Sequence, residues 1–164
     1  MRNLVAVPVL AAFASLGAMP AIAATATGSF NVQVIIQETC TVTSPTSTLL
    51  DFGTQGLLNA NVDATTTISV QCTTGTDYDV TLDQGQNASR RMRLGATANY
   101  VDYELYTNVG HTTIWPVAAG AAPYQFTATG IAQNYTVYGR IPVQTTPPAS
   151  ATAYTDTVAI TVTY

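Results

Sequence analysis

Residues 154–164, Y-T-D-T-V-A-I-T-V-T-Y, alternate apolar or aromatic positions with threonine. A period of two over this length predicts a half-buried β-strand with Val158, Ile160, Val162 and Tyr164 on one face. The run closes the chain with no turn or polar tail after it. Such a strand is expected to leave an edge open, and an open edge is a template for another chain. Toward the other end, Phe30, Val32, Val34 and Ile36 alternate with Asn31, Gln33 and Ile35. One end reads as a sheet short of a strand and the other as a spare strand, a pairing that points to a subunit polymerising by strand exchange. The apolar pair Ile35-Ile36 breaks the alternation, and a one-residue slip swaps which face is buried. It is read as the point where an extension hands over to the domain's own first strand, which carries Cys40 and Val42. The alternative is one long edge strand with both faces partly buried.

Further strands are expected at 30–43, 49–52, 65–72, 78–83, 92–94, 100–106, 124–128 and 133–143, with turn residues between them. Residues 92–94 are candidates for an excursion from the main sheets. Threonine and valine are abundant and suit pleated strands. Many short strands at this spacing predict an all-β sandwich or barrel.

The first 23 residues read as an export signal. Arg2 supplies a positive start, residues 4–16 a short apolar stretch, and Ala21-Ile22-Ala23 a cleavage site. The mature chain is then expected to begin at Ala24, with 24–36 as the extension and 37–164 as one domain long enough for a real core. Without Arg2, four arginines (Arg90, Arg91, Arg93, Arg140) face nine carboxylates, a formal charge of −5. That argues against nucleic acid as a partner, because phosphate binding needs clustered positive charge. There is no lysine, a residue commonly used to blunt sheet edges. Cys40 and Cys72 are the only cysteines, and an even count in an exported chain favours a disulfide between them.

The chemical inventory is thin. His111, in a turn-like N-V-G-H-T-T stretch, reads as a solvated loop residue, and no G-x-S-x-G elbow accompanies it. Asp77, Asp79 and Asp83 could suit calcium, yet their spacing lacks the glycine and distal glutamate of an EF-hand loop. Arg90-Arg91-Met92-Arg93 reads either as a solvated loop or as a cluster that pairs with acidic residues of a neighbouring subunit. Two glycosylation sequons, at Asn87 and Asn134, are matches expected by chance in so threonine-rich a chain. Trp115 is expected in the core or anchoring a loop. No enzyme, metal, cofactor or small-molecule substrate is expected. Against the polymerising subunit stands a secreted monomeric sandwich that binds through an aromatic face, with Tyr100, Tyr103 and Tyr106 as candidates.

Several segments in order resemble the spore-coat-protein-U domain, the fold of archaic chaperone–usher pilins. They are Leu50-Asp-Phe-Gly-Thr54, Ile68-Ser-Val-Gln-Cys-Thr73 with Gly75-Thr-Asp-Tyr78, Arg91-Met92, Tyr103-Glu-Leu-Tyr106, Thr113-Ile-Trp115, Val137-Tyr-Gly-Arg-Ile-Pro142 and Tyr154-Thr-Asp-Thr-Val158. Pro147-Pro148-Ala149-Ser150 departs from the glycine-containing turns usual before the last strand. The resemblance implies an immunoglobulin-like sandwich without its final strand, completed by donor-strand complementation. A periplasmic chaperone would lend the missing strand, and at an outer-membrane usher the next subunit's Phe30, Val32, Val34 and Ile36 would replace it. Val158, Ile160, Val162 and Tyr164 would wall the acceptor groove. The product would be a cell-surface pilus serving attachment and biofilm formation.

Overall fold

The computed structural model describes residues 23–43, 49–118, 120 and 125–164. The expected cleavage site and the expected turn at Ser44-Pro45 fall largely or wholly outside them, as does Tyr124. The chain divides into two units between Ile35 and Ile36. In the first unit the described residues are extended and exposed, with no strand.

The second unit carries the strands: β1 (Cys40–Thr43), β2 (Val62–Cys72), β3 (Asp77–Leu82), β4 (Arg91–Arg93), β5 (Tyr100–Asp102), β6 (Glu104–Tyr106), β7 (Gln125–Thr127), β8 (Gln133–Ile141) and β9 (Ile160–Thr163). They form an all-β, immunoglobulin-like sandwich, and no helix occurs among the described residues. One sheet has the order β1-β2-β8-β6, the other β7-β3-β9, and β4-β5 makes a small separate ribbon. Every strand pair is antiparallel.

The core follows the two-residue period. In β8, Val137 and Ile141 point inward beside Gly139, while their neighbours are only half-buried. Ile68 and Val70 of β2 and Tyr78, Val80 and Leu82 of β3 meet them from both sheets. Trp115 is wholly buried. Its backbone N–H donates to Leu105 O of one sheet at 2.8 Å, and its indole Nε1 donates to Val80 O of the other at 3.2 Å. Cys40 and Cys72 form a disulfide that closes the β1–β2 pair.

Four strand expectations change. The 49–52 run forms no strand. The 30–43 run is a strand only from Cys40: at Thr39 the Thr73 hydroxyl replaces a backbone carbonyl as acceptor (3.2 Å), although Thr73 N–H still donates to Thr39 O at 3.0 Å. The 100–106 run splits at Tyr103, its halves joining different sheets. The 154–164 run is a strand only over Ile160–Thr163, with a single bridge from Thr155 to Arg93.

Candidate functional site

Strand β9 lies at the edge of its sheet, paired with β3 and, among the described residues, with no strand on its other side. Asp83 N–H donates to Ala159 O at 3.1 Å, so this residue faces β3. Strand alternation then turns the N–H and C=O of Val158, Ile160 and Val162 toward the open side. Beside that edge is a cleft of about 1020 Å3. Its floor is apolar, with Ile68, Leu82, Met92, Leu105, Val137 and Ile141 among its lining. One wall is the 49–56 segment. The other runs through residues 146–158 to Ile160.

The 49–56 wall is seated by an absence. A Cβ on Gly139 would lie 2.8 Å from both δ carbons of Leu50 and 3.0 Å from Phe52 Cζ. Glycine inside a strand often marks such a close approach, and here it lets Leu50 and Phe52 rest on β8. The segment forms no strand. Gly53 N–H instead donates to Asp51 Oδ1 at 2.8 Å.

Of the expected groove residues, Val158 and Ile160 line the cleft. Val162 is half-buried against the core. Tyr164 is 58% exposed and borders a smaller cleft with Asp77, Asp79 and Phe126. The expected donor residues Phe30, Val32, Val34 and Ile36 are 73–86% exposed, an unusual run of solvated apolar side chains.

Two carboxylates organise the 154–159 wall. Asp83 Oδ1 accepts from Gly85 N and Ala159 N, both at 2.9 Å. Asp156, lining the cleft, accepts from Tyr103 OH at 2.8 Å. Burial, and then that bond, push the Tyr103 hydroxyl well above the usual tyrosine range. Sequence reading missed Asp156. Its signal was a lone carboxylate inside a run of threonine and apolar residues.

The remaining candidates resolve as follows. Arg90 is not in a solvated loop but is 7% exposed, and it donates to Leu82 O (2.8 Å), Trp115 O (3.0 Å), Leu105 O (3.3 Å) and the Glu104 carboxylate. It is therefore not free to pair with another subunit. Arg91 and Arg93 lie over the Tyr100 ring at 4.5 and 5.8 Å. His111 is also not solvated: its side chain is 5% exposed, edge-on to Tyr106 and Tyr138, with Nε2 3.6 Å from Asp63. Asn87 Nδ2 donates to Arg91 O and Asp156, which occupies the amide of that sequon. Asp77 and Asp79 accept from Thr127 Oγ1 (2.7 Å) and Gly120 N (3.0 Å). Tyr103 is buried, so the aromatic face of the monomeric alternative loses its middle member.

The sequence matches the model of the Spore Coat Protein U domain over residues 26–161. It is 33% identical to Protein U of Myxococcus xanthus, across 97% of both chains. Among solved structures, it resembles a chain of the CsuC–CsuE chaperone–tip adhesion subunit pre-assembly complex from the archaic chaperone–usher Csu pili of Acinetobacter baumannii. That likeness has a TM-score of 0.50 and 22% identity, and it covers 79% of this chain. The chain spans about two fifths of that neighbour's length, 40%.

Proposed function

The chain belongs to the Spore Coat Protein U domain family, and from that premise we propose that it is a structural subunit of an archaic chaperone–usher pilus, polymerising by donor-strand exchange. One observation carries the reading. The same chain holds an open apolar cleft beside an unpaired strand edge and, separately, an exposed alternating row of the kind that would fill one. Strand addition needs both parts: backbone groups for affinity and pockets for alternate side chains. Residues 1–23 are the export signal, 24–36 the donor extension and 37–164 the acceptor domain. Phe30, Val32, Val34 and Ile36 enter the cleft of the preceding subunit, while this subunit's own Val158, Ile160, Val162 and Tyr164 form the strand wall that receives the next one's extension. A contact that gives at one end and receives at the other does not close, so it builds a filament.

Burying the four donor side chains is worth about 1.5–3 kcal/mol each, roughly 6–12 kcal/mol together. Domains are stable by only about 5–15 kcal/mol, so a subunit with an empty cleft is marginal and suits a periplasmic chaperone that fills it before the outer-membrane usher. The polymer reaches the cell surface, where it supports attachment and biofilm formation. Deleting residues 25–34 tests the reading. The shortened subunit should still be captured by the chaperone, because its cleft is intact, but should not extend chains. Normal polymers from the deletion mutant, seen by electron microscopy and heat-resistant ladders on gels, would refute it.

A further inference from the structure

Asp156 Oδ1 accepts hydrogen bonds from Thr157 N (2.8 Å), Gln86 N (2.9 Å) and Asn87 Nδ2 (3.2 Å), and Oδ2 accepts from Tyr103 OH (2.8 Å). A carboxylate has about four acceptor sites. Both oxygens of this one are engaged from within the protein, three donors on Oδ1 and one on Oδ2, although the residue lines the cleft. The loop meets it closely. Gly85, at φ +74°, passes so near that a Cβ there would lie 2.0 Å from Oδ2. The stretch it anchors, residues 154–159, lies outside any strand. It is also held elsewhere: Thr155 exchanges backbone bonds with Arg93 (2.8 and 3.0 Å), Ala159 is tied to Asp83, Tyr154 OH donates to Pro148 O at 2.8 Å, and Tyr154 and Val158 pack on the core. The Ala159 contact faces β3, away from the open edge, whereas Tyr103 and Asp156 both line the cleft.

We propose that Asp156 is a positioning residue that holds residues 154–159 extended before any partner arrives, so that the open edge is already formed when a strand approaches. The inference rests on the strand-exchange reading above. Pre-forming an edge removes an ordering cost from binding, and a binding step that must wait for a conformational change has a lower association rate. Losing the carboxylate should therefore slow strand uptake more than it speeds release.

The test is stopped-flow uptake of a fluorescent peptide of residues 26–36 by the purified exported chain. Asp156→Ala should associate about tenfold more slowly or worse, with dissociation changed much less. Hydrogen exchange should quicken at residues 154–159 and not in β2 or β8. Asp156→Asn should restore most of the rate, since an amide oxygen still accepts from the three N–H donors. Equal association rates for the wild type and Asp156→Ala would overturn the inference and leave strand exchange standing. A wild-type chain that takes up no peptide would overturn strand exchange itself. Should the alanine variant not fold, Tyr103→Phe and Asn87→Ala decide, each removing one donor: about threefold slower uptake supports the clamp, and unchanged uptake overturns it.

Discussion

Replacing Gly139 with alanine probes whether the 49–56 segment is a wall of the binding cleft. The added methyl would sit 2.8 Å from both δ carbons of Leu50 and 3.0 Å from Phe52 Cζ. Carbon atoms in good contact are about 3.5–4.0 Å apart, so these tips must retreat by about 0.5–1 Å. They are the far ends of flexible side chains, and the open space beside them is the cleft both already line. Overpacking of this kind costs about 1–3 kcal/mol, and replacing glycine within a strand returns about 0.5–1 kcal/mol. The net loss of stability should be about 1–2 kcal/mol, read as a lower urea midpoint with an unchanged slope. Binding of the 26–36 peptide should weaken by about tenfold or more, about 1.4 kcal/mol, because the displaced side chains occupy space the incoming strand needs. Gly56→Ala is the control. It lines the same cleft, but its added Cβ meets nothing within 4 Å, so both readouts should stay close to wild type. A Gly139→Ala chain with lowered stability and unaltered peptide affinity would show that Leu50 and Phe52 support the fold without shaping the site.

Replacing Cys40 and Cys72 together with serine opens a loop of 32 residues and should cost roughly 3–4 kcal/mol in urea unfolding; a midpoint equal to that of the oxidised wild type would contradict this. Asp63 is held below the usual carboxylate range, chiefly by its hydrogen bond from Arg140, so the stability it adds is present above about pH 4 and is lost as pH falls through its lowered value. The stability gap between wild type and Asp63→Asn should accordingly shrink as pH falls below about 4, and a gap that widens on acidification would reverse the assignment.

The alternation at residues 133–143 gave β8 nearly whole, because that strand has neighbours on both sides and its inward residues meet a core. Residues 30–34 alternate as clearly and form no strand. Alternation records which face could be buried and says nothing about whether a partner is at hand. The last eleven residues show the same limit in finer form. β3 ends at Leu82, and beyond it the Asp83 carboxylate replaces a backbone carbonyl as acceptor for Ala159, so regular pairing stops there. Arg90 and Arg91 are adjacent in sequence and opposite in fate. Arg91 and Arg93, two apart in β4, flank one ring face of Tyr100, whereas Arg90 precedes the strand and turns inward to four backbone carbonyls. No local pattern distinguishes them. His111 looked solvated from its turn-like stretch, but Tyr106 and Tyr138 on neighbouring strands cover its ring. The disulfide was legible because two cysteines allow one pairing.

A sandwich with an open cleft must stop its sheets from collapsing across the gap, since closing it would bury more apolar surface. Apolar packing has no preferred direction and does not prevent such a slide. Hydrogen bonds between the sheets do, because they weaken steeply away from their preferred length and angle. Several such links join the sheets: Trp115 donates to both Leu105 O and Val80 O, Leu82 N–H donates to Pro116 O at 3.1 Å, Arg90 donates to Leu82 O and Leu105 O, and Tyr78 OH of β3 donates to Gln133 Oε1 of β8 at 3.0 Å. A buried guanidinium costs desolvation unless its donors are satisfied, and here it is surrounded by carbonyls and the Glu104 carboxylate. An apolar residue at position 90 would fill the same volume without setting the distance between Leu82 and Leu105, both of which line the cleft. The polar links therefore hold the cleft open.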